Sequence, residues 1–469
     1  MIVLIVEDEL DFSRELNAVL NEISARVRVS IARSRDSAVN LLKEEFYDLI
    51  ILDLKIPTFD GSLDADPLHG HATFTTARVT APGTPILVLT GSSAEEFIPD
   101  MLSHQQQIDI WGTGDQIGTV DFLKKYQFDR CPDLLRPKLD AIETLEMVEL
   151  NALNCNLSVE ENRLLRIFAR QRGGTVCTAS KLNGLSGAKV LKLEILDENG
   201  ANIYNAVAKL GDFEKIELES RNYDRFVSRL EPHFTPRHLA TLRYGAKAVG
   251  GVFYGLVSNC ESNFFDVEEI KASVEAVLSN LKQGIFPWSR DIPHSRIPIG
   301  NIRKRLMNDG VHTAMCEKYN LNWATEFERR EVQAKWACIH GDMHGANVLV
   351  SNACEVQLID YGDISDGPVC LDPVTLELSF LFHPDVNCGA WPTIEQAKQF
   401  LDLDDYLQGC PFPESIRGSR EWAIESRASV REYCAVLYAY LVRNLQYDDT
   451  DKDLILAILE AVVTAYDAT

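Results

Sequence analysis

No Cys-x-x-Cys pair occurs anywhere in the chain, whose 11 cysteines lie at irregular intervals from Cys131 to Cys434. An odd number at such spacing argues against a disulfide framework and against zinc, and fits a reducing, cytoplasmic setting. No apolar run reaches the roughly 18 residues that a membrane helix needs, so no membrane partner is expected. The opening "MIVLIVEDEL" lacks a basic flank and turns acidic at once, so it reads as a first strand rather than a signal peptide. Positive charge is the scarcer sign: 46 Lys and Arg face 70 Asp and Glu, a net charge of −24. That balance disfavours a broad surface for phosphate backbones, and no basic recognition helix is present, so no nucleic-acid partner is expected. Internal repeats and low-complexity tracts are lacking too.

What is there is ample apolar material, 46% of 469 residues, enough for about three compact units. Over residues 1–130, short apolar runs alternate with amphipathic segments. "IVLIV" precedes Glu7 and Asp8, "DLIILD" ends at Asp53, "TPILVLTG" carries Thr90, and "TVDFLKK" ends at Lys125. Near-continuous β-rich runs separated by helices imply a parallel sheet covered on both faces, with sites beyond the carboxyl ends of the strands. Each of these residues alone could be an N-cap, a turn residue or a solvated strand end. Together they describe one chemistry. Three carboxylates at one sheet edge repel one another, and Mg2+ would relieve the repulsion as a metal bound by Glu7, Asp8 and Asp53. Asp53 is then a phosphoacceptor, Lys125 neutralises the new charge and the Thr90 hydroxyl bonds to it.

This stretch resembles the response-regulator receiver domain, a doubly wound (βα)5 fold. The resemblance implies Thr90 and Phe122 as switch residues and a sensor histidine kinase or small phosphodonor as partner. Tyr126 departs from the usual proline after the lysine, which keeps Lys124 as a second candidate. The stretch "SLDADPLHGHATFTTARVTAPG" (62–83) reads as an insertion of unassigned role, with His69 and His71 as exposed polar residues rather than metal ligands.

Residues 131–175 read as a helical linker, one place where a homodimer could form, the receiver being the other. From 176 to 258 the texture is antiparallel β. Gly184 and Gly187 sit in a turn that could approach phosphates, though hairpins use the same residues. Lys209 lies on a strand and is followed by a helix bearing Glu217 and Glu219, the arrangement that opens a kinase-type N-lobe; its partner is Glu219 or Glu217. Residues 259–469 form the helical C-lobe of this reading.

Within "ACIHGDMHGANVLV", a carboxylate sits between two histidines and an asparagine. A zinc helix built on His340 and His344 is opposed by Gly341 and Gly345 and by the lack of a third ligand. The string H-G-D-x-x-x-x-N instead places Asp342 and Asn347 at the spacing of a phosphoryl-transfer loop, with Asp360 at the end of the next strand, "EVQLID". Asp342 would accept the acceptor's proton, Asn347 and Asp360 would hold Mg2+, and Lys209, fixed by Glu219, would neutralise the phosphates of ATP or GTP. The glycine after His340, "IDYGD", and "LDPVTLEL" with Asp372 resemble the aminoglycoside phosphotransferase and choline-kinase-like branch of protein-kinase-like folds.

The expectation is therefore an α/β chain: a doubly wound parallel receiver followed by an α+β bilobal protein-kinase-like domain. Asp53 would regulate a Mg2+-dependent phosphotransferase acting on a hydroxyl acceptor or protein partner of unread identity. The alternative is a catalytically weak nucleotide-binding scaffold in a bacterial multi-protein system. Residues 285–330 remain without an assigned role.

Overall fold

The computed structural model describes residues 1–469 except 92–96, 183–188, 257–259, 261 and 290–291. Strands Ile2–Val6, Arg28–Ala32, Leu49–Asp53, Ile86–Thr90 and Val120–Lys124 form a parallel sheet in the order second, first, third, fourth, fifth. Leu49–Asp53 and Ile86–Thr90 are buried along their whole length, which is why they read as unbroken apolar runs rather than alternating ones. One face packs Phe74, Ala77, Ala38 and Leu42; the other packs Leu16, Leu20, Leu135 and Leu139. All five strands end at the same edge, so Asp53 and Thr90 close their strands, and Glu7 and Lys125 follow directly on theirs.

The stretch read as an insertion is largely a helix. Asp66 caps Pro67–Thr80 by accepting from Leu68 N, with proline in the first turn, so most of 62–83 is the element that crosses from the third strand to the fourth. His69 Nδ1 bonds to Ile56 O at 2.9 Å and His71 Nε2 lies 2.9 Å from Asp100, which gives both histidines structural partners.

The segment 131–175 is less helical than its periodicity implies. Between helices Cys131–Leu145 and Val159–Gln171 runs a strand, Glu149–Leu153, which pairs parallel with Val176–Lys181. The second helix is the crossover that parallel pairing requires. Its start is fixed by a capping box between Ser158 and Glu161. Four further strands, Lys189–Leu196, Asn202–Asp212, His238–Leu242 and Val249–Gly255, complete a six-stranded sheet by antiparallel pairing. Phe168 of the crossover helix stacks on Phe253 of this sheet at 4.0 Å between ring centroids. One apolar cluster runs from Val3 and Leu87 of the parallel sheet through Leu139 and Phe168 to Leu191 and Phe253.

The described chain divides into two compact units: Met1–Ser220 with His238–Leu256, and Arg221–Arg237 with Val257–Thr469. The second unit is mainly helical. Helix Leu371–Phe382 is buried from Leu371 to Phe380, and Val430–Asn444 is buried on nearly every face. A helix so enclosed has no room for a solvated stripe, so its polar residues need internal partners. Arg420, 2% exposed, meets Glu377, 1% exposed, through two hydrogen bonds of 2.8 Å from Nε and one of 2.5 Å from Nη2. No helix among the described residues is long and apolar enough to cross a membrane.

Candidate functional site

The acidic residues singled out in the sequence fall in two places, one in each unit. In the first, Glu7, Asp8 and Asp53 each offer an oxygen within 4.8 Å of the others, and no other cluster of His, Cys, Asp and Glu among the described residues has metal-holding geometry. Lys125 Nζ lies 2.8 Å from Asp53 Oδ2 and 2.9 Å from Glu7 Oε2. Lys125 Nζ also lies over the Phe12 ring, 4.7 Å from its centroid, a cation–π contact. Burial, reinforced by the Asp53 charge, pushes the Glu7 carboxyl up to about 7. Burial also raises Asp53, against the lowering pull of Lys125. Buried carboxylates that resist ionising together are a donor set that fits a hard divalent cation.

Thr90 Oγ1 donates to Gly91 O at 2.7 Å, so the hydroxyl stays with its own backbone rather than reaching Asp53. Phe122 is half-buried against the apolar face that holds Val88 and Val120. Lys124 Nζ lies over the Tyr126 ring at 5.9 Å, and Lys125, not Lys124, reaches the acidic cluster. On the six-stranded sheet Lys209 Nζ pairs with Glu219 Oε2 at 2.8 Å, and Tyr254 OH donates to Glu219 Oε1 at 2.9 Å. Glu217 pairs instead with Arg243. Gly184 and Gly187 lie outside the described residues.

In the second unit the strand Glu331–Ile339 delivers the chain into His340–Gly341–Asp342. Asp372, buried at the start of its helix, accepts from His340 N at 2.8 Å and Gly341 N at 2.9 Å, which fixes the loop's backbone. His340 Nε2 bonds to Ile359 O, tying the loop to the strand ahead of Asp360. Gly341 sits at φ +82°, and a Cβ there would lie 2.5 Å from Asp363 O, so no other residue fits without displacement. Asn347 Nδ2 donates to Asp342 O at 2.9 Å, which leaves its amide oxygen free to ligate a cation. Asp360 adopts φ +64°, a left-handed turn that aspartate tolerates at modest cost. A carboxylate and an amide oxygen are hard donors, so this pair also fits Mg2+. His344 Nε2 is 3.7 Å from Asp342 Oδ2, too far for a hydrogen bond, and its ring faces His383 at 4.7 Å between centroids.

Three contributors escape sequence reasoning. Asn222 Nδ2 donates to Tyr361 O and Gly362 O, holding the turn after Asp360. Arg443 Nη1 approaches Asp342 Oδ1 at 3.4 Å. Asp363 lies close enough to Asp342 that burial and the neighbouring charge both raise its carboxyl. Asn222 lies one turn beyond Glu219 on the same helix, Phe213–Arg225, and Arg443 comes from a helix with no recognisable motif; only tertiary packing brings them to the loop.

Residues 3–126 match the family model of the response regulator receiver domain. No curated protein is significantly similar in sequence. Among solved structures, a CheY-like receiver domain protein from Methanospirillum hungatei JF-1 is 17% identical, aligned over 30% of this chain and 97% of its own, with a TM-score of 0.23. An amicoumacin kinase in complex with AMP-PNP, Ca2+ and Ami is 12% identical over 62% of this chain and 88% of its own, TM-score 0.34. An aminoglycoside-3'-phosphotransferase of type VIII is 19% identical over 57% and 99%, TM-score 0.34. The family match thus covers residues 3–126, the stretch that holds Glu7, Asp8, Asp53, Thr90 and Lys125.

Proposed function

We propose that this is a two-component signalling protein in which phosphorylation of Asp53 regulates a nucleotide-dependent phosphotransferase acting on a hydroxyl group. Residues 1–130 act as receiver, 131–175 as connector, and 176–258 with 259–469 as the transferase. The observation that carries the reading is the anchoring of the Asp342 loop. Asp372 holds the backbone of His340 and Gly341, while Asn347 and Asp360 arrive beside it on a fixed turn. A polar hairpin with only capping roles gives no reason for a fully buried carboxylate to brace the two residues ahead of Asp342.

In this mechanism Asp342 Oδ takes the acceptor's hydroxyl proton as that oxygen attacks the γ-phosphorus. The bond from γ-phosphorus to the bridging oxygen breaks, and ADP (or GDP) leaves. Mg2+ held by Asn347 and Asp360 would shield phosphate charge. Lys209, kept extended by Glu219, would neutralise the nucleotide's α- and β-phosphates. In the receiver, an Asp53 oxygen attacks the phosphorus of a phosphohistidine or small phosphodonor and the donor's bond to phosphorus breaks; Mg2+ held by Glu7, Asp8 and Asp53 would offset the added charge. Lys125 would then turn from a carboxylate to a phosphoryl oxygen, and Thr90 and Phe122 would shift with it.

Turnover of ATP in the presence and absence of acetyl phosphate tests the coupling. A rate change in the wild type that is lost in Asp53→Asn supports it, and identical rates in both remove it. Asp342→Ala is expected to abolish transfer and to leave nucleotide binding intact. A nucleotide-binding scaffold is the second reading, favoured by the Arg443 contact that engages the Asp342 carboxylate; wild-type protein with no transfer to any acceptor would select it.

A further inference from the structure

We infer that the hydroxyl acceptor carries an anionic group, a carboxylate or a phosphate, seated on Arg305 and Arg443 in a cavity beside Asp342. The inference rests on the phosphotransferase reading only for the word acceptor; the anion subsite stands on its own geometry. The cavity lies wholly in the second unit and is lined by Arg305, Leu306, Gly341, Asp363, Ser365 and Arg443 among others. Gly341 is the residue before Asp342, so a group bound there sits against the catalytic loop.

The lining carries two guanidinium groups against one carboxylate, Asp363. That excess is unexpected in a chain with 70 acidic and 46 basic residues. Arg443 is held by the buried helix Val430–Asn444, and its Nε donates to Tyr447 OH at 3.2 Å. Its contact with Asp342 is 3.4 Å, longer than the roughly 2.7–2.9 Å of a closed charge-assisted bond, so the guanidinium fork retains donors for a second anion. Arg305 is exposed and makes no side-chain hydrogen bond or ion pair with the described residues. Two planar forks converging on one small cavity suit a carboxylate or phosphate, which they can grip through paired hydrogen bonds. A polycationic acceptor would meet like charge there and be disfavoured. The segment 285–330, which sequence left without a role, supplies Arg305 and so one wall of the subsite.

The test is calorimetric titration of the full chain with Mg2+ and AMP-PNP present, using D-glycerate, glycerol 3-phosphate, glycerol and kanamycin as probes. At least one of the two anions should bind ten-fold or more tightly than glycerol, and the tighter of them tells a carboxylate from a phosphate source. Arg305→Ala, at an exposed position that leaves the core intact, should weaken that anion ten-fold or more. Asp342→Asn removes the carboxylate that competes for Arg443, so the anion should bind it as tightly as the wild type or more so. The inference falls if neither anion binds, if kanamycin or glycerol binds as tightly, or if Arg305→Ala leaves anion affinity unchanged. Arginine-dependent anion binding with no phosphate transfer to any probe would instead sink the phosphotransferase reading and leave the subsite standing.

Discussion

Gly83 and Lys247 are joined backbone to backbone: Gly83 N donates to Lys247 O at 2.7 Å, and Gly245 N returns to Gly83 O at 2.8 Å. Lys247 Nζ continues the contact to Glu45 O at 2.8 Å. Gly83 lies in the turn ahead of the fourth parallel strand, so the six-stranded sheet is strapped to the end of the receiver opposite Asp53. A Cβ at Gly83 would lie 2.8 Å from Lys247 O and 2.9 Å from Arg243 O. Gly83→Val should therefore cost about 1–3 kcal/mol through forced displacement. Urea unfolding measures this; an unchanged midpoint would mean that the strap is not closed in solution.

Divalent-ion binding is the next check on the receiver. Asp53→Asn and Glu7→Gln each remove one of the three clustered oxygens. Each substitution should weaken Mg2+ binding at this place ten-fold or more by calorimetry. Wild-type affinity in both variants would show that the cluster is not the ion's seat.

A pH effect follows from Glu432, buried in the first turn of helix Val430–Asn444 and pushed up to about 7 by that burial. Its carboxyl accepts from Lys335 N at 3.2 Å and from Ala428 N. The folded state holds this proton more tightly than the unfolded chain, whose glutamate titrates near the usual 4.5. The stability it confers is therefore complete below pH 4.5 and lost as pH rises through 7. The full effect is at most about 3 kcal/mol. Glu432→Gln keeps an acceptor without the charge, so the variant should be the more stable one at pH 8 and lose its advantage at pH 5. Parallel unfolding curves for the two proteins at both pH values would contradict this.

The Arg420–Glu377 pair gives the largest expected stability effect. Both members are almost fully buried, so removing one strands the other's charge. Arg420→Ala or Glu377→Ala should cost about 3–5 kcal/mol, while a paired apolar replacement should cost much less. Additive costs in the double variant, measured by the same unfolding assay, would refute the coupling.

The fold was legible wherever burial enforces one pattern. "LIILD" and "ILVLT" are buried on both faces and so announce a parallel sheet, and the acidic and lysine residues after such strands necessarily meet at one edge. The strand "ELNAL" was not legible: it lies at the sheet edge, mostly exposed, between two strongly amphipathic helices whose periodicity runs over it. The 62–83 helix hid for a related reason, since "HATFTTARVT" has weak amphipathic contrast and four threonines, which are poor helix formers. The Asp342 loop showed in sequence because His340, Gly341, Asp342 and Asn347 fall within eight consecutive residues. Arg443, about a hundred positions away, could be found only through packing.

The unbroken apolar cluster from Leu87 through Phe168 to Phe253 has a practical consequence for anyone hoping to transplant the N-terminal parallel-sheet domain. A cut after residue 130 would leave Leu16 and Leu20 facing water where Leu135 and Leu139 had covered them, so the excised piece should be sticky. A portable cassette would have to run at least through Gln171, and would still present an uncovered Phe168 to its new host.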